Sequence, residues 1–160
     1  MTTIQVAALS SLQIPAISVV MRSVQIAALS SAQIAALTTT QLATWDSDHI
    51  TAIETRDIAG LSTTQIAALT FTQWSALSTG QIAALNTAQL SVLTTSDIQS
   101  MTTAQLVAVE TSDMSGLNTA HIAMLSNEQL TALTTLQIAA LHTLQTVSYT
   151  HLTLPTNREV

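Results

Sequence analysis

Asp46-Ser47-Asp48-His49 is the one stretch of the chain where metal-ligating and acid–base groups crowd together. Two carboxylates and an imidazole within four residues could hold a divalent cation or relay a proton. The spacing is not that of a calcium loop, however, and no second histidine lies nearby to complete a zinc set. Serine, histidine and aspartate can be combined on paper into a hydrolase triad in any chain this rich in serine. Here no Gly-x-Ser-x-Gly elbow supports it, and no phosphate loop or dinucleotide fingerprint occurs. A simpler reading is available, because each of these residues also has a place in a repeat. We therefore assign no catalytic, cofactor-binding or metal-ligating residue and expect no enzyme activity.

The repeat is an octad of the form Leu-Ser/Thr-Thr-x-Gln-Ile-Ala-Ala, as in Leu29–Ala36 and Leu61–Ala68, and it recurs eighteen times. Taking the hydroxyl residue as a helix N-cap, Ser30 caps, Ser31 is the first helical position, Gln33 the third and Ile34 the fourth. Ser/Thr followed three residues later by Gln is a capping box: the cap oxygen accepts from the third N–H while the Gln side chain returns to the cap N–H. Leu29 and Ile34 form the accompanying hydrophobic staple. Each octad thus carries a complete helix start and only Ala-Ala before the next.

Fourteen of the eighteen cap positions are Ser, Thr, Asp or Asn, the exceptions being Arg22, Glu54, Glu110 and His142. The third position is Gln thirteen times, Asp at 57, 97 and 113, and His at 49 and 121. Asp46, Asp48, Glu54, Asp57, Asp97, Glu110, Asp113 and Glu128 all fall between the cap and the third position, facing the positive end of the helix dipole. Arg56 runs against that preference but is flanked by Glu54 and Asp57. Asp46 accordingly reads as a cap, and His49 and His121 as substitutes for Gln. Trp45 replaces a repeat Leu and Trp74 a repeat Ile, so both should be core. Phe71 replaces a hydroxyl residue and is the best single candidate for an exposed contact.

The expected fold is an all-α solenoid of very short helices, one per octad. A β-solenoid with threonine rows is the main competitor. Ile34 and Leu37, three apart, share a helical face but would lie on opposite faces of a strand. Ala-Ala between them favours helix, and glycine for tight corners occurs only at 60, 80 and 116. A single unbroken helix fails because an eight-residue period would spiral its apolar stripe around the surface. Such short helices have no independent stability, so Ile and Leu must stack between neighbours. The octad has Leu where a helix end usually has Gly, so its C-terminal geometry does not follow from local pattern.

The register slips once: Gln13 to Gln25 is twelve residues. Pro15 lies beyond the first turn of its expected helix, where it should interrupt a backbone bond. Residues 1–21 therefore read as an imperfect N-terminal end, 22–146 as the regular array, and 147–160 as a non-native tail. The tail departs from the octad, and Val147–Thr156 resembles the translation of a transposase-type sequencing adapter. Tyr149, His151 and Pro155 accordingly carry no functional weight.

Lysine is absent, and three basic residues against nine acids argue against a phosphate-backbone partner. Hydroxyls and glutamines interrupt every apolar run, so no membrane span is expected. Cysteine is absent, which excludes disulfides. The octad Leu-Thr-Thr-x-Gln-Ile-x-Ala-Leu resembles tracts in very large bacterial surface or secreted proteins of haemolysin-like, haem-utilisation or adhesin type. That resemblance covers residues 1–146 and implies an extracellular or cell-surface setting. The expected role is a structural repeat segment, a spacer or interaction surface, with a protein or surface as partner and end-to-end self-association open to it. The alternative is a binding module for ice, glycan or mineral that uses the row of first-position hydroxyls.

Overall fold

The computed structural model of the protein describes residues 1–17 and 21–141, and among these it is all-α with no strand. The helices are short and fall one to an octad, as in Ser31–Ala35, Thr39–Ala43, Thr63–Ala67, Thr79–Ala83 and Thr119–Ala123. His142 and the tail 147–160 lie outside the described residues.

Most helices start where the capping box places them, the one in the Ser10 octad starting late, at Ile14. Ser78 has extended backbone, its Oγ accepts from the Gln81 N–H at 3.2 Å, and its own N–H donates to Gln81 Oε1 at 2.9 Å. The same pair of bonds joins Ser62 to Gln65 and Thr102 to Gln105. Glu54 makes no cap bond, and the Glu110 octad contains only a 3-10 turn at Met114–Gly116.

The helix end resolves the missing glycine. The repeat Leu donates its N–H three residues back to the fourth-position carbonyl, as Leu37 does to Ile34 at 3.1 Å and Leu85 to Ile82 at 3.1 Å. This tightens the last turn without a left-handed residue. The chain then straightens, with Leu77 at φ −58° and ψ 132°, and runs directly into the next extended cap.

Stacking partners lie 28 residues apart along the chain: Gln65 reaches Leu37, Gln81 reaches Ile53, and Gln89 reaches Leu61. One superhelical turn is therefore about three and a half octads. Because 28 is not a multiple of eight, successive turns are staggered like bricks. Helix Thr79–Ala83 packs on Thr55–Ile58 of the turn before, while its Gln81 reaches the carbonyls that end Ser47–Thr51.

The fourth-position and Leu side chains form one continuous core, including Ile34, Leu42, Ile50, Ile82 and Leu90, each at most 1% exposed. Full burial of such a side chain contributes roughly 1.5–3 kcal/mol, which is what holds helices too short to persist alone. Trp45 and Trp74 are core residues as their positions imply, and Phe71 is exposed. Trp74 leaves its indole N–H unpaired, the one such buried side-chain atom among the described residues.

The register slip shortens the first turn. Gln25 Nε2 reaches the Met1 carbonyl and Gln33 Nε2 the Leu9 carbonyl, each 24 residues back. By His49, which reaches Met21, the 28-residue offset is established. In the Ser10 octad Ile14 donates to the Ser10 carbonyl at 3.4 Å, but Pro15 has no N–H for the Ser11 carbonyl, so a turn spans 11–13 and the α-helix begins only at Ile14–Ile17.

Candidate functional site

The feature that recurs through the molecule is the third-position glutamine, which works in two directions. Its Oε1 closes the capping box within its own octad. Its Nε2 donates to backbone carbonyls one turn earlier: Gln73 to Leu42 and Trp45 at 2.7 and 2.6 Å, and Gln89 to Ile58 and Leu61 at 2.9 and 2.7 Å. The Trp45 and Leu61 carbonyls are left over at the end of a short helix, while those of Leu42 and Ile58 also accept from the Trp45 and Leu61 N–H at 3.0 and 3.1 Å. These glutamines are 1–5% exposed in the array interior, from Gln65 to Gln105. Their capping role was visible in sequence; the bond between turns was not.

His49 and His121 substitute for glutamine in both directions. His121 Nδ1 lies 3.3 Å from the Asn118 N–H and Nε2 lies 2.9 Å from the Leu93 carbonyl. His49 repeats this with Asp46 N–H and the Met21 carbonyl. The Leu93 and Met21 carbonyls each need an N–H at Nε2, and at His49 the Nδ1 also lies 2.7 Å from Asp46 Oδ1. Asp46 caps by accepting from the His49 N–H at 3.0 Å. That backbone bond, and then the nearby His49 ring, hold its carboxyl below the usual range. Among the described residues no group of three or more His, Cys, Asp or Glu side chains is placed to hold a metal ion.

Aspartate cannot donate downward, so the Asp octads differ. Asp57 is buried and accepts from the Ser31 hydroxyl at 2.5 Å, and Asp113 accepts from the Thr87 hydroxyl at 2.5 Å and the Thr87 N–H at 2.8 Å. Arg56, the exception among first-turn charges, pairs with Glu54 at 2.9 Å and approaches Asp57 at 3.7 Å. Asp97 bonds only within its own cap, to Thr94. Replacing Asp97 with Gln should keep that cap and extend a donor to the Ile66 and Leu69 carbonyls. We expect a stabilisation of about 1 kcal/mol, read by thermal denaturation.

The Asp57 and Asp113 octads share the form Glu-Thr-x-Asp-x-x-Gly-Leu and start 56 residues apart, at Glu54 and Glu110. That offset is two superhelical turns and seven octads, the first point at which the two periods coincide. Variant octads therefore line up on one side of the stack. The shallow cleft at Ile53, Glu54 and Ser78 has its counterpart at Val109, Glu110 and Thr134.

Fold and polar groups define a class: an α-solenoid of octad repeats whose buried polar side chains bind its own backbone. The ALTTAQ repeat family profile matches residues 20–47, 50–87 and 106–143, and the chain belongs to that family. The second and third matched segments are again offset by 56 residues. No curated protein and no solved structure matches the chain.

Proposed function

We propose that the array is a non-enzymatic structural segment, a spacer or interaction surface, of a larger bacterial extracellular or cell-surface protein. The observation that carries this reading is the use of the buried polar groups. Gln65, Gln73, Gln81, Gln89, Gln105 and His121 are all engaged by backbone one turn away. A scaffold built this way extends by adding octads and leaves no unlike residues converged for catalysis. Among the described residues no helix is long and apolar enough to cross a membrane.

The competing hydroxyl-lattice reading draws on the exposed first-position residues Thr79, Thr95, Thr103 and Thr119. With about three and a half octads per turn these hydroxyls wind around the stack and do not form one flat row. A planar crystal face would meet few of them at once. Changing those four residues to Ala spares the caps at Ser78, Thr94, Thr102 and Asn118. Thr87 is left intact because its hydroxyl holds Asp113. The spacer reading expects unchanged folding and no change in ice, glycan or mineral binding. Loss of such binding by a folded variant would replace it with the lattice reading.

A further inference from the structure

His49 and His121 occupy the same position of their octads, but one follows an Asp cap and the other an Asn cap. Each ring reaches down one turn, His49 Nε2 to the Met21 carbonyl and His121 Nε2 to the Leu93 carbonyl, both at 2.9 Å. A carbonyl accepts only an N–H, so the two rings differ at Nδ1. At His49, Nδ1 lies 2.7 Å from Asp46 Oδ1, an oxygen able to accept a second ring proton. At His121, Nδ1 lies 3.3 Å from the Asn118 backbone N–H, which can only donate. The Asn118 amide oxygen accepts from the His121 backbone N–H at 3.0 Å, and its amide nitrogen lies 3.4 Å from Nε2. His121 is 3% exposed, and no carboxylate among the described residues pairs with its ring. Asp97, on the helix Thr95–Ser100 packed against it, is bound to Thr94. Asp113 of the preceding octad is bound to Thr87, and Glu128 of the following octad is exposed. The charged groups around His49 are Asp46, the exposed Asp48, and the exposed Arg22 that starts helix Ser23–Ile26. The other helix packed there, Phe71–Ala76, carries no ionisable group.

We propose that His121 is an acid-sensitive joint between two turns, and that the cap residue decides this: Asn118 exposes His121 to acid where Asp46 protects His49. With the His121 ring neutral, Nε2–H donates to the Leu93 carbonyl and Nδ1 accepts from the Asn118 N–H. A proton taken from solvent onto Nδ1 sets two donors against each other in a buried site, with no acceptor to receive it. The unfolded chain carries no such conflict. The joint is therefore intact above the histidine range, about pH 6.5, and weakens as pH falls through it. At His49 the same proton gains the Asp46 carboxylate, so acid leaves that joint bonded. Gln105 and Gln129 make the nearest bonds of this kind on either side. Asp97 and Asp113 stand in the third position of neighbouring octads, and aspartate sends no donor down. Acid should therefore loosen the stack first where the Asn118 octad meets Leu93. The inference does not rest on the spacer reading, which holds whether or not the stack responds to pH.

The test is thermal denaturation of the full 160-residue chain, followed by circular dichroism at about pH 7.5 and about pH 5. The loss of melting temperature between the two is compared across variants, since His142 and His151 titrate in all of them. The wild type should lose roughly 5 °C. His121→Gln installs the residue the repeat uses at this position and should remove most of that loss. Asn118→Asp keeps a cap, supplies an acceptor for Nδ1–H, and should remove or reverse it. Asp46→Asn should enlarge the loss by creating a second sensitive joint, while His49→Gln should not reduce it. Ring nitrogen chemical shifts at neutral pH give a second measurement, in which His121 should carry its proton on Nε2. A wild type equally stable at both pH values would overturn the proposal. So would a loss that persists unchanged in His121→Gln or Asn118→Asp, or a His121 proton found on Nδ1.

Discussion

Replacing Gln81 with alanine should lower the melting temperature by roughly 10 °C, the largest effect expected from any exchange of one polar side chain in the interior. Three things are lost at once. The Ser78 N–H loses its acceptor at 2.9 Å, the Ile53 carbonyl loses its donor at 2.8 Å, and the Ile50 carbonyl, which keeps the Ile53 N–H at 3.2 Å, loses a second donor at 2.9 Å. A cavity also opens at a side chain that is 2% exposed. Buried groups left unpaired cost about 1–3 kcal/mol each, and relaxation of the site reduces the total to around 3 kcal/mol. Gln81→Glu separates the two directions of bonding. It preserves the cap acceptor but sets a carboxylate oxygen against two carbonyl oxygens, so it should be at least as damaging as alanine. Gln81→His should be the mildest of the three, because His49 and His121 already fill this position. If Glu proves harmless, capping alone explains the glutamine and the bond between turns adds nothing.

Gly116→Ala should destabilise by about 3 kcal/mol, through close approach and not through backbone conformation. A Cβ at Gly116 would collide with the Thr87 carbonyl oxygen and sit 2.9 Å from Leu90 Cβ, both one turn earlier. None of the three glycines has the positive φ that disfavours a side chain. Gly60, at the equivalent place in the other variant octad, has its nearest contact at 3.1 Å, so Gly60→Ala should cost about 1 kcal/mol. Gly80 lies within helix Thr79–Ala83 with nothing closer than 3.4 Å, and alanine there should stabilise by up to about 1 kcal/mol. Urea denaturation of the three variants checks the order. Equal losses at 116 and 80 would show that glycine is needed for something other than space.

Both predictions depend on contacts about 28 residues apart, and this separates what was legible in sequence from what was not. Cap to third position is three residues and cap to fourth is four. Those bonds form within one turn of backbone, so residue type and spacing were enough to place helix starts, the buried Ile and Leu, the dipole-facing acids and the all-α class. Asp46 as cap and His49 as a stand-in for Gln followed from the same local geometry.

The number of octads per turn has no local signature. It follows from how closely Ile and Leu of one helix nest on the next, and it was decided only when the chain closed on itself. Everything built on that offset was hidden for the same reason: the downward bond of glutamine, the clasp of Asp57 on Ser31, the space beside Gly116 and the 56-residue recurrence of the variant octad. The octad by itself determined what each unit is. The fit of one turn on another decided where the units meet, because interdigitation of side chains distant in sequence sets the pitch and the capping box does not.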